Sequence, residues 1–97
     1  MCDNFNMLKK DLEPFFGQKV VLDTNSSWLY VGALKEVTEH SAILTEVDVH
    51  NKNDSTSSQE LYVLESKTTG IAANRNRVFV NLDYVVSFSL LDDVKHF

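Results

Sequence analysis

The sequence predicts a mostly β protein: a short N-terminal helix followed by a strongly bent, five-stranded antiparallel open barrel. Three observations predict it. A single stripe with helical spacing occurs near the N-terminus, and the pattern then switches to alternation along much of the chain. A glycine also sits inside the longest alternating run, where a strand bends or another backbone comes close. The 97 residues suffice for a single domain, taken here as 1–97, and 43% apolar with 24% charged residues is an ordinary globular composition.

Helix first. Asp3 or Asn4 can cap it, and Phe5, Leu8 and Leu12 fall at i, i+3 and i+7, so the helix is placed over about 4–13. Pro14 disfavours helical geometry at Glu13 and ends it. Phe15 and Phe16 are expected to pack it onto the barrel. The first strand, about 18–23, carries Val20 and Leu22 on one face. Thr24–Ser27 is turn chemistry. The second strand, 28–37, sets Trp28, Tyr30, Gly32 and Leu34 on one side and Leu29, Val31 and Ala33 on the other. Trp28 and Tyr30 read as core or subunit-contact residues. After a turn at Thr38–Ser41 the third strand, about 42–50, alternates Ile43, Thr45, Val47 and Val49 against Glu46, Asp48 and His50, the latter three pointing to water. Asn51–Gln59 has no hydrophobe and reads as a mobile loop. Residues 60–67, with Leu61-Tyr62-Val63-Leu64, read as a strand; 68–77 is ambiguous, with room for a helical turn at Ile71–Asn74. Strands at 78–80 and 84–91 follow, then a fraying tail.

These residues resemble the Sm and Sm-like (LSm) RNA-binding family, as a divergent member. Gly17, Val20, Leu22, Tyr30-x-Gly32-x-Leu34, the turn Thr38–Ala42 and Ile43-Leu44 are similar to that family's first motif. The run from Val78 to Leu90 is similar to its second. A polar insertion between the motifs is common in the family, and the likeness covers most of 5–91.

Two implications follow. The first is assembly, which physics also favours. An open barrel leaves unpaired backbone groups on its edge strands. The expected edges are 78–80 and 84–91, hydrophobic and poor in charge, so Val78, Phe79, Val80, Val86, Phe88 and Leu90 are candidate interface residues. Pairing one chain's last strand with the next chain's penultimate strand is head-to-tail and closes into a homo-oligomeric ring or grows a filament; a closed ring is expected.

The second implication is single-stranded nucleic acid, RNA more readily than DNA. The family uses an aspartate to orient the first turn, an aromatic or histidine to stack on a base, an asparagine to read it, and an arginine-glycine pair in the second motif. Here Thr38 stands at the aspartate position, His40 at the stacking position, Ala42 for the asparagine, Asn81 for the arginine and Leu82 for the glycine, while Asp83 fits the pattern. The uridine pocket is therefore degenerate. His40 and Asn81 remain as base contacts; their blander readings are an exposed turn histidine and a turn residue bonding its own backbone. Arg75 and Arg77 form the only Arg cluster and can hold phosphates bidentately, or line a solvated or salt-bridged rim. Lys35 is a further candidate.

The remaining chemistry is sparse. Net charge is −5, against a chain coated in basic residues for duplex DNA. This also keeps open a structural ring that scaffolds protein partners and binds no nucleic acid. Glu46, Asp48 and His50 share a strand face compatible with a metal, but a metal site usually draws ligands from more than one element, so a wet strand face is the simpler expectation. Cys2 is a lone thiol that cannot form an internal disulfide. No phosphate loop, nucleophile elbow or zinc spacing appears. No enzyme activity, cofactor or metal is expected. Nor is a membrane partner, since no apolar run approaches the ~18 residues of a span. Nothing in the first residues suggests export, and a cytoplasmic location is expected.

Overall fold

The computed structural model describes residues 10–53 and 59–95. Residues 10–12 are α-helical and continue into a 3-10 turn over Glu13–Phe15, with Pro14 at its start, where a missing N–H costs nothing. The rest of the expected helix, 4–9, lies outside the described residues. Leu12 is fully buried and Phe15 packs against the core, but Phe16 stays exposed, contrary to expectation.

Five strands follow: β1 (Lys19–Thr24), β2 (Trp28–Val37), β3 (Ser41–Asn51), β4 (Arg75–Asn81) and β5 (Val85–Leu90). They form one antiparallel sheet in the order β4-β3-β2-β1-β5. Among the described residues the sheet is not closed, and β4 and β5 are its two edges, joined through a 3-10 turn at Leu82–Tyr84. β4 is longer than 78–80, extending back through Arg75.

The bend lies where the glycine suggests. Val31 pairs with Asp48 and Ala33 with Thr45, so Gly32 faces the two residues Glu46 and Val47, a bulge on β3. Glu46 there takes φ +50°, the left-handed region. A Cβ on Gly32 would lie 3.1 Å from the Thr45 carbonyl oxygen and from Val47 Cγ2.

Residues 60–67 are not a strand. They belong to helix α1 (Gln59–Thr69). A continuous apolar run such as Leu61–Leu64 has no period, so it fits either element. Tertiary packing decides: Tyr62, Val63 and buried Ser66 meet the sheet together, as positions one turn apart do only on a helix. Gly70, at φ +96°, ends α1 and donates its N–H to the Ser66 carbonyl at 3.1 Å. Of the expected loop, Asn51 closes β3, 52–53 form a turn and 54–58 lie outside the described residues; no helical turn forms at 71–74.

Two apolar layers result. The interior joins Leu12, Val20, Leu22, Leu34, Leu44 and Val47 with others, and Phe88 meets Phe15 with ring centroids 5.6 Å apart. On the outer face, Val21, Leu29 and Val31 are covered by Val63 of α1 and by Leu91. Leu91 lies in a 3-10 turn, Leu91–Asp93, so the chain does not fray directly after β5.

Candidate nucleic-acid interface

The β2–β3 turn is built by Thr38. Its hydroxyl accepts N–H bonds from Ser41 at 3.0 Å and His40 at 3.3 Å, and its own N–H reaches the Ser41 carbonyl at 2.8 Å. The short side chain replaces water for two turn N–H groups, which fixes His40 at the exposed tip.

The β4–β5 turn is docked against it. Ser41 pairs with Asn81, and Leu82 N–H donates to the His40 carbonyl at 2.9 Å. Asn81 Oδ1 accepts the Asp83 N–H at 2.9 Å and so caps the following 3-10 turn. Among the described residues no hydrogen bond of its amide Nδ2 is formed, and the residue is exposed. His40, Asn81 and Asp83, read separately from the sequence, therefore meet at one end of the sheet. Lys35 lies near this end, exposed on the last turn-ward stretch of β2. Glu36, Glu39 and Asp83 are exposed there too, so this end carries hydrogen-bonding and stacking groups without a surplus of positive charge.

Arg75 and Arg77 do not join them. They pair with Val47 and Thr45, four and six residues back from Asn81, about 13 and 20 Å along β4 for Arg77 and Arg75 respectively. Arg75 Nη1 donates to the Asn74 carbonyl at 2.9 Å. Of the six residues proposed for the interface, Val78, Val80, Phe88 and Leu90 turn into the interior, whereas Phe79 is 60% and Val86 63% exposed.

Of the expected wet face of β3, Glu46 is exposed, but Asp48 and His50 are half-buried. Asp48 accepts the Tyr62 hydroxyl on one oxygen and Asn74 Nδ2 on the other, at 3.1 Å for the latter. The His50 and Tyr62 rings stack, centroids 3.7 Å apart and 10° from parallel. Burial, reinforced by the neighbouring Asp48 carboxylate, pushes the Tyr62 phenol above its ordinary range. Among the described residues no cluster of three metal-ligating side chains exists, and Asp48 and His50 serve to dock α1. The sequence reading missed this contact because it placed Tyr62 on a strand.

Neither a family model nor a curated protein matches the chain. Solved structures do. A Pyrococcus abyssii Sm protein in complex with a uridine heptamer superposes with a TM-score of 0.58 at 10% identity, covering 84% of this chain and 93% of that one. The chain has an Sm-like fold. A chain of the NatC complex bound to CoA is also similar, with a TM-score of 0.54 at 17% identity over 87% of this chain and 94% of its own. Within this Sm-like frame the turn that an aspartate would orient is held by the Thr38 hydroxyl instead. Among the described residues no helix is long and apolar enough to cross a membrane.

Proposed function

We propose that this Sm-like protein binds single-stranded RNA at the end of the sheet where the β2–β3 and β4–β5 turns meet, and does so as a homo-oligomer. In this reading it is a binding protein rather than an enzyme. The observation that carries it is the junction itself: Leu82 N–H on the His40 carbonyl brings exposed His40 and exposed Asn81 to the same end of the sheet. A base stacked on His40 and bonded by Asn81 uses what the end offers, and Lys35 supplies a phosphate contact. The Sm protein seen with a uridine heptamer supports RNA as the ligand class. The two edge strands support the assembly, because pairing β4 of one chain with β5 of the next satisfies both open rims.

A second reading has its own support. The net charge of −5 and the likeness to a chain of the NatC complex favour a structural subunit whose edge strands pair with other proteins. Anisotropy of labelled oligouridylate and oligoadenylate at 50 mM salt, read alongside light scattering, separates the two. Salt-sensitive binding by an oligomer supports the first. A monomer without affinity for either oligonucleotide supports the second.

A further inference from the structure

We infer that the bound strand continues from the turn junction down the exposed face of edge strand β4, with a base stacked on Phe79 and phosphates held by Arg77 and Arg75. The inference rests on the RNA-binding reading and gives it a path.

Alternation along β4 turns Val78 and Val80 inward and leaves Arg77, Phe79 and Asn81 on the opposite side, all exposed. Arg75 stands two residues before Arg77, also exposed. Each residue type suits one part of a single-stranded polyanion: guanidinium for phosphate, a ring face for a base, an amide for a base edge.

Charge is the second argument. The chain is acidic, yet neither guanidinium has a carboxylate partner among the described residues; the only ion pair is Lys52 Nζ with Asp23 Oδ1, at 2.5 Å. The turn junction, by contrast, has Glu36, Glu39 and Asp83 around it. A nucleic acid bound at the junction alone would meet little positive charge, whereas the β4 row begins at Asn81, which belongs to both. From Asn81 to Arg75 the row spans about 20 Å, room for at most about six nucleotides at a stacked rise of ~3.4 Å.

Assembly leaves the row open. On β5, Ser87 and Ser89 pair with Asp23 and Val21 and point away from the interior. If a neighbouring β5 pairs with β4 with these serines on the side of Arg77 and Phe79, their short side chains leave the row open.

The test is anisotropy of a labelled oligouridylate over a salt series, with folding of every variant checked by thermal melting. All three β4 side chains are exposed, so the variants are expected to melt like wild type. Arg75→Gln/Arg77→Gln should weaken binding and flatten the log–log salt dependence by about 1.4, whereas Lys19→Gln/Lys95→Gln, equal in charge change, should not. Phe79→Ala should weaken binding roughly 5- to 150-fold. Wild-type binding that all three β4 substitutions leave intact, while His40→Ala/Asn81→Ala abolishes it, overturns the β4 path and spares the junction. The reverse pattern supports β4 and removes the junction. No wild-type binding at 50 mM salt overturns both. Equal affinity for polyglutamate, insensitive to Phe79→Ala, reassigns the row to an acidic protein and also overturns the path.

Discussion

Replacing Gly32 by alanine tests the bend directly. Its backbone is not in the left-handed region, so alanine meets no dihedral penalty and gains about 0.4–1 kcal/mol by restricting the unfolded chain. Against this stands the space. The new methyl would sit 3.1 Å from the Thr45 carbonyl oxygen and from Val47 Cγ2, and 3.2 Å from Val47 Cα. Two of these three are backbone atoms, so no rotamer change clears them. β3 cannot simply retreat, because on its far side Thr45 and Val47 pair with Arg77 and Arg75 of β4, and Val47 is fully buried. Overpacking of this kind costs about 1–3 kcal/mol. The net is a destabilisation of about 1 kcal/mol, or a fall in Tm of about 4–8 °C for a domain of this size. Chemical denaturation should show the midpoint falling with an unchanged slope. A Gly32→Ala protein as stable as wild type, or more so, would refute the argument that the bend needs a bare backbone against the bulge.

Three other expectations follow from the same structure. Glu46→Gly should stabilise by about 0.5 kcal/mol or more, since left-handed geometry costs a side-chain-bearing residue ~1–2 kcal/mol and glycine returns ~0.5–1 in entropy; a lowered denaturation midpoint would contradict it. Leu44→Ala, at a fully buried site in the interior layer, should cost about 2–5 kcal/mol by urea melting. Tyr62→Phe keeps the ring on His50 but removes the hydroxyl from Asp48, costing about 1 kcal/mol. Because the folded-state phenol is raised above its unfolded value, its contribution is fully present below pH ~10 and is lost as pH climbs past that point. Wild type should therefore lose stability at alkaline pH relative to Tyr62→Phe, and parallel pH profiles would count against the contact.

Most of the sheet was legible because alternation, turn chemistry and Gly32 agree on it. β1, β2 and β3 fall within a residue or so of their expected bounds, and the edges are the two strands read as edges. The junction was legible only in part. His40, Asn81 and Asp83 stand out as turn residues, but that the turns touch depends on Leu82 reaching the His40 carbonyl, a long-range backbone bond without a side-chain signature. Helix α1 was misread for a different reason. Its sheet-facing set includes Ser66, a polar residue that satisfies itself by bonding the Tyr62 carbonyl at 3.3 Å, so the apolar stripe is too thin to announce a helix. The missed signal lay in β1 and β2. Val21, Leu29 and Val31 are apolar on the face that should meet water, which implies a cover from elsewhere in the chain.

That cover bears on function through what it leaves uncovered. α1 occupies the outer face over β1 and β2, held by Tyr62 on Asp48 and His50 and by Lys67 on the Val94 carbonyl at 2.5 Å. Its packed residues meet Val21, Leu29, Val31 and Leu91, not the exposed residues of β4. The outer surface is thereby divided: one part dry and committed to folding, the other a row of exposed side chains along a strand edge. Phe79 is 60% exposed on that row and presents ring surface on which a base can stack. Phe79 lies directly opposite Ile43 of β3, which is buried, while most of its own ring surface faces solvent. With guanidinium groups two and four residues away on the same strand that have no carboxylate partner among the described residues, a partner that is both anionic and flat satisfies all three side chains at once, and a purely apolar protein surface would leave the two charges stranded.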